Sequence, residues 1–249
     1  MAQAGRRAMN PTGVWDWQFA AAILPQLVAA TGYSILATLL SYVAALLLGL
    51  PLAIGRDAAS PALRAATAGF VELVRCTPIL IQVYLLYFVL PAAGIVLPAL
   101  AVGVLALSVH YATYMSEAYR AGIASVSGSQ RDAAAALGLS KRSTFLRVVL
   151  PQAIPPIVPV LGNHLIAHFK ETPLLSAIAI VELLQTAKLI GSETFRYNEP
   201  ITIVGIIFLV LSLAAAALSR RVERHANRWR PAAQAASPGR AIGTVSTPA

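Results

Sequence analysis

The sequence predicts an all-α integral membrane helical bundle with about five transmembrane helices. Three observations predict it. First, 57% of the 249 residues are hydrophobic and only 12% are charged, giving a mean hydropathy of +0.70. A chain so apolar cannot hide its hydrophobic surface inside one soluble core. Second, apolar runs recur at lengths of about 20 residues, enough to cross a hydrocarbon layer of about 30 Å. Third, many of the Lys and Arg residues behind the net charge of +9 flank those runs, as they do at an anionic membrane face. With no nucleic-acid motif and no basic-aromatic groove, that charge does not point to nucleic acid. Cys76 is the single cysteine, so an intramolecular disulfide is excluded.

The elements follow in order. Arg6 and Arg7 precede a polar stretch rather than the apolar core of a cleavable signal, so the start reads as mature protein. Residues 15–28 mix Trp15, Trp17 and Phe19 with apolar residues and Pro25, which suits a segment lying in the membrane interface. A first span over 31–54 stops at Arg56 and Asp57, and a second over 69–90 ends at Pro91. A third covers 98–115. A polar loop over 117–151 carries Arg120, Arg131, Lys141, Arg142 and Arg147. The fourth apolar segment, 151–169, contains Pro155, Pro156 and Pro159 and is expected to be short or bent. Residues 171–199, interrupted by Glu182, Lys188 and Glu193, read as a re-entrant or interfacial piece, and 200–218 form the last span. Positive residues after spans one and three and after the last span place those segments and the C terminus in the cytoplasm, with the N terminus outside. The Ala-, Pro-, Ser- and Gly-rich tail reads as disordered.

Within the polar loop, Ala133 to Ala136 allow a close backbone approach, Gly138 supplies a left-handed turn, and Ser140 caps a following helix. Ser129 and Asp132 have the spacing of a capping box. Lys141 and Arg142 follow a helix N-cap, where positive charge is disfavoured, so lipid headgroups or an acidic partner must favour them there. The pattern is a helix-turn-helix for docking. No G-x-x-x-x-G-K-[ST] phosphate loop occurs, so a powered transport step must draw on another polypeptide.

The run Asp132-Ala133-Ala134, then Gly138, then Val148-Val149-Leu150-Pro151, resembles the EAA loop of ATP-binding-cassette importer permeases, with Asp for the usual Glu and Val for the usual Ile. Glu72-Leu-Val-Arg75-Cys76-Thr77-Pro78 with Gln82, Glu117-Ala-Tyr-Arg120, and Asn163 with Lys170-Glu171-Thr172 are similar to segments of the polar amino acid branch. Cys76 replaces a usual Gly, and Pro173 a common Ser. The stretches 169–176 and 191–197 look like those of ectoine and hydroxyectoine uptake permeases.

The resemblance implies a MetI-like permease fold over 15–225, an N-terminal tail over 1–14, and a disordered tail over 226–249. It implies that Asp132, Ala133, Ala134 and Gly138 couple to a cytoplasmic ATP-binding subunit dimer, with Lys141 and Arg142 as secondary contacts. Further implied partners are a second permease subunit, the same or related, and an extracytoplasmic solute-binding protein, at the inner membrane and with no cofactor. The substrate is then a polar amino acid or an ectoine-type compatible solute, and the chain itself catalyses no covalent chemistry.

Polar residues at membrane depth are costly in lipid and mark cavities or partners. Gln82, His110 and Asn163 are the candidates for a substrate path, with helix–helix hydrogen bonding as the structural alternative. His164 and His168 lie four apart on one helical face, but no third ligand accompanies them, so no metal site is expected. A secondary transporter would show an internal repeat, and none is found. A membrane anchor without a path would tolerate apolar replacement of Asn163 and Gln82.

Overall fold

A computed structural model describes residues 15–227. The expected tail over 1–14 lies outside the described residues, and so does the expected C-terminal tail from 228 onward. Nine α-helices order the described chain: α1 (Trp17–Arg56), α2 (Pro61–Cys76), α3 (Ile79–Tyr84), α4 (Ala99–Ala124), α5 (Gly128–Ala136), α6 (Lys141–Thr144), α7 (Leu150–Glu171), α8 (Leu183–Thr194) and α9 (Asn198–Asn227). No strand occurs among the described residues, and the all-α class holds. Among the described residues, four helical segments are long and apolar enough to cross a membrane, and a bent pair, Pro61–Cys76 with Ile79–Ala93, makes a fifth when counted as one span.

The first element is longer than its pattern suggests. The expected interfacial piece and first span are one unbroken helix of 40 residues with Pro25 and Pro51 inside it. At 1.5 Å per residue this is roughly 60 Å, twice the hydrocarbon thickness. Tertiary packing sustains the extension, because Ala20, Ile23 and Leu27 pack against Leu183, Ala187 and Ile190 of α8 and Ile203 and Val204 of α9. Asp16 caps its start, accepting from the Gln18 and Phe19 amides at 2.9 and 3.1 Å.

The second span breaks where Pro78 holds Thr77 in an extended conformation, with ψ 127°. The two halves meet at 102°. Only Val71 and Val74 of α2 are buried, so that helix lies along the bundle with most of its surface open. Beyond α3 the chain passes through a π-helical turn, Leu85–Val89, and a 3-10 turn, Leu90–Ala93, and reverses at Gly94.

Helix α4 runs parallel to α1, with Ala45 against Tyr111 and Met115 in one core cluster. It does not stop at the expected 115 but continues through Glu117 and Arg120 to Ala124. Ion pairing makes that possible: Glu117 pairs with Arg56 and with Arg75, and Arg120 with Asp57. The expected polar loop is therefore helical at its start. Helix α7 also departs from expectation, since its three prolines do not shorten it. A π-helical turn at Phe145–Val149 precedes it, and the candidate span runs over Lys141–Ile178.

Between that span and α9, residues 179–194 hold no helix long enough to be a candidate span. A 3-10 turn, Thr172–Ile178, ends at Ala179 with φ 59°, and α8 has only 12 residues. Glu182 caps α8, accepting from the Leu184 and Gln185 amides at 2.9 and 2.8 Å, while its other partner is the Ser34 hydroxyl at 3.3 Å. Burial pushes the Glu182 carboxyl above its usual range, against the pull of those donors. Helix α9 then returns antiparallel to α7, with Phe169 against Phe208 and Gly162 against Ser219. The C-terminal ends of α1, α4 and α9 and the α5–α6 segment thus share one end of the bundle.

Candidate functional site

At that end, α5, the turn and α6 form a short hairpin of helices. Ser127, not Ser129, caps α5: its Oγ accepts from the Ser129 amide at 3.3 Å, and the helix begins at Gly128. The capping box expected at Ser129 and Asp132 is not formed, because the cap falls two residues earlier. Gly138 closes the turn at φ 73°, a conformation that costs an L-residue a Cβ clash. Ser140 caps α6, accepting from the Ser143 amide at 3.3 Å. Arg131 Nη2 donates to the Ile123 carbonyl at 3.0 Å, tying α5 to the last turn of α4.

The six residues expected to couple are gathered here. Asp132, Ala133, Lys141 and Arg142 are exposed, while Ala134 is buried and anchors α5 to the bundle. One residue that the pattern did not single out stands with them: Leu137, directly before the glycine, is 79% exposed. With the exposed Ala133 and Ala136 it forms an open surface of small and apolar groups, near the exposed charges of Asp132, Lys141 and Arg142. The signal was present as a leucine at a helix C-cap, but a leucine there equally contacts its own helix.

The intramembrane candidates divide. Gln82 and His110 meet: Gln82 Nε2 lies 3.0 Å from His110 Nδ1 and also donates to the Val74 and Thr77 carbonyls at 2.8 Å each. Gln82 therefore supplies a donor to two carbonyls at the end of α2, of which Val74 also accepts from the Thr77 amide at 3.4 Å, and holds the bend against α4. Asn163 stands apart on an exposed face of α7 and has no hydrogen-bond partner among the described residues. Val160, Ala167 and Lys170 share that face at helical spacing and are exposed as well. Lys170 lies beside Ser212 and Leu209, about midway along α9, and has no ion-pair partner among the described residues.

The opposite face of α7 builds a buried polar layer. Ser41 Oγ gives its hydrogen to the Ala37 carbonyl at 2.5 Å, which leaves the oxygen to accept from His168 Nε2 at 2.6 Å. His168 stacks on Tyr111 at 4.3 Å, and His164 on Tyr114 at 5.6 Å. His168 thus hydrogen-bonds and stacks, and His164 stacks, within the helix interface. Among the described residues, the buried Glu171 Oε2 and His168 Nδ1 have no hydrogen-bond partner.

At the far end, Arg196 joins Asp16 at 3.1 Å and pairs with Glu199, and its guanidinium lies 4.7 Å from the Phe19 ring. The amides of Phe19 and Gln18 and the Arg196 charge hold the Asp16 carboxyl below its usual range, and its partners raise Arg196.

A bundle of four to five apolar spans with a bent second span and an exposed two-helix loop at one end defines a membrane permease of MetI-like fold. The chain belongs to the family described as binding-protein-dependent transport system inner membrane component, whose model matches residues 45–228. It is 42% identical over 212 residues to a probable amino-acid ABC transporter permease protein of Sinorhizobium fredii, covering 85% of this chain and 92% of that one. An L-cystine transport system permease protein of Bacillus subtilis is 33% identical over 78% of this chain and 85% of its own. Among solved structures, an amino acid ABC transporter with histidines superposes with a TM-score of 0.81 at 32% identity, covering 85% of this chain and 99% of that one. The MetNI methionine ABC transporter in an inward-facing conformation has the same fold, with a TM-score of 0.63 at 17% identity and the same coverage of both chains. The chain is thus a multi-pass inner-membrane ABC transporter permease.

Proposed function

We propose that this chain is the translocating subunit of an importer for polar amino acids, driven by a separate ATPase pair and fed by an extracytoplasmic solute-binding protein. The observation that carries this reading is the exposed α5–α6 hairpin with its open Leu137, placed where α1, α4 and α9 also end. Asp132, Ala133, Ala134 and Gly138 form the coupling element that fits a cleft of the ATPase, and Lys141 and Arg142 meet its acidic rim. The hairpin and the C terminus face the cytoplasm, in keeping with the cluster of Arg220, Arg221 and Arg224 at the end of α9.

The face of α7 bearing Asn163 and Lys170 supports a path. A lysine and an amide exposed at mid-depth are costly against lipid and are accommodated by a water-filled passage shared with a second permease subunit. The permease domain occupies 15–225 and carries no catalytic site of its own.

Relatives named for amino acids, cystine and glutamine favour the amino acid reading. The ectoine and hydroxyectoine reading is its narrower form and rests on the likeness of 169–176 and 191–197, which fall at the turn after α7 and the corner before α9. The test is uptake of radiolabelled glutamine, arginine, cystine and ectoine in cells with and without this chain, its transporter partners being present throughout. ATP-dependent uptake of an amino acid that requires the chain is expected. Uptake insensitive to loss of the ATPase would instead identify a secondary transporter, and uptake of ectoine alone would select the narrower form.

A further inference from the structure

We propose that Arg75 is a positioning residue that ties the bend between α2 and α3 to the loop end of α4, so that a pull on the α5–α6 hairpin is felt at the bend. The inference rests on the permease reading above and assigns a mechanical connection within it.

Three features carry it. The Arg75 guanidinium reaches two groups on α4 one turn apart: its Nη1 lies 3.5 Å from Glu117 Oε1, and its carbon lies 5.0 Å from the Tyr114 ring centroid. Glu117 is itself the hub of the loop end. One oxygen pairs with Arg56 of α1, and the other lies 3.5 Å from Arg120. Helix α1 is fixed to α4 by close packing, since a Cβ on Gly49 would stand 2.7 Å from the Met115 Cβ. Helix α2, in contrast, buries only two side chains, and elements with few buried contacts move most cheaply.

The hub therefore has a stiff arm to α1 and a slack arm to α2. The slack arm is the long, half-exposed Arg75 contact, of a kind that solvent screens and small displacements break. Displacing α5 strains the last turns of α4 through Arg131 on the Ile123 carbonyl and carries Glu117 with it. Arg75 follows Glu117 and rotates the end of α2 about Thr77 and Pro78, where Gln82 donates to the Val74 and Thr77 carbonyls. Tyr114 passes the same displacement to His110 and His164, at 5.4 and 5.6 Å, which flank the bend and α7.

Cys76, exposed and next in sequence to Arg75, reports on this directly. The experiment measures the rate of maleimide labelling of Cys76 in the membrane complex of this chain with its ATPase and binding protein. Rates are compared at rest and after trapping with ATP and vanadate. In the wild type, trapping is expected to change the rate severalfold, and Arg75→Gln to bring the ratio to about one while the ATPase still co-purifies. Arg75→Lys, which keeps the charge but not the planar stacking on Tyr114, is expected to restore part of the ratio. Arg64→Gln, at the exposed start of α2, serves as the control and retains the full response. A response in Arg75→Gln equal to the wild type, or no response in the wild type, overturns the proposal. Failure of the permease reading looks different: the ATPase would not co-purify with the wild-type chain at all.

Discussion

Gln82 Nε2 lies 3.0 Å from His110 Nδ1, and the same amide nitrogen donates to two carbonyls at the end of α2. A side chain in the second half of a broken span thus satisfies the end of the first half and docks both on α4. Two hydrogens serve three acceptors, so at least one is shared, and the His110 nitrogen facing Gln82 is an acceptor. Replacing Gln82 by Leu keeps the volume but removes the side-chain donor from the Thr77 carbonyl and leaves the Val74 carbonyl only the Thr77 amide at 3.4 Å. The expected cost is about 1–3 kcal/mol. Thermal unfolding in detergent should show a lowered midpoint, and Gln82→Glu, which accepts where a donor is needed, should not recover it.

The crossing of α1 and α4 is set by a missing side chain. A Cβ at Gly49 would meet the Met115 Cβ at 2.7 Å and the Ala112 carbonyl at 3.2 Å. Gly49→Ala should therefore destabilise the bundle by about 1–3 kcal/mol through overpacking rather than help the helix. Gly32, whose Cβ position is open, should accept Ala without that penalty, and the two unfolding midpoints compared in one detergent decide the matter.

Gly138 sits at φ 73° with open space around its Cβ position, so its requirement is conformational and not steric crowding. A β-branched residue there costs roughly 1–2 kcal/mol and reopens the turn. Gly138→Val should abolish ATP-driven uptake at normal membrane levels. Retained uptake would remove the turn from the coupling argument.

Leu137 is exposed, so Leu137→Asp should leave the thermal midpoint within about 0.5 kcal/mol of the wild type. The same change should reduce co-purification of the ATPase at least tenfold, roughly 1.4 kcal/mol of affinity. Undiminished co-purification would place the contact elsewhere on the hairpin.

The far-end corner predicts a pH dependence. Asp16 is held below its usual range by the Phe19 and Gln18 amides and by Arg196, with Glu199 the other carboxylate facing that guanidinium. A depressed carboxylate contributes stability that is complete above the unfolded value, about 3.9, and is lost as the pH falls through the folded one. The wild-type advantage in thermal midpoint over Asp16→Asn should be full near neutrality and shrink below the ordinary carboxylate range. An advantage independent of pH would mean that packing, not charge, holds the corner.

Much of the candidate site was legible in the sequence because its determinants are local. A glycine after an alanine-rich helix and a serine before Lys141 specify a turn and a cap wherever they are placed, and both formed as expected. The break at Pro78 was legible in principle but masked by the apolar run on either side of it. The cap at Ser127 was missed because serines at 127 and 129 are equivalent until the backbone chooses one.

Composition and apolar run length alone pointed to a helical membrane protein, and the described residues hold four to five candidate spans, since apolar runs of about 20 residues satisfy their own backbone in lipid as helices. They also marked 171–199, interrupted by charges, as a re-entrant or interfacial piece, and no candidate span begins and ends within it. Tertiary structure alone decided where the helices end. Helix α1 extends toward its start because α8 and α9 cover its first turns, and α4 extends past 115 because Arg56, Arg75 and Asp57 neutralise its charges. It also joined Gln82 to His110 and left Asn163, Lys170 and Leu137 uncovered. Local chemistry fixes turns and caps, whereas the free energy of a helix end or a buried amide depends on neighbours tens of residues away, which no window along the chain contains.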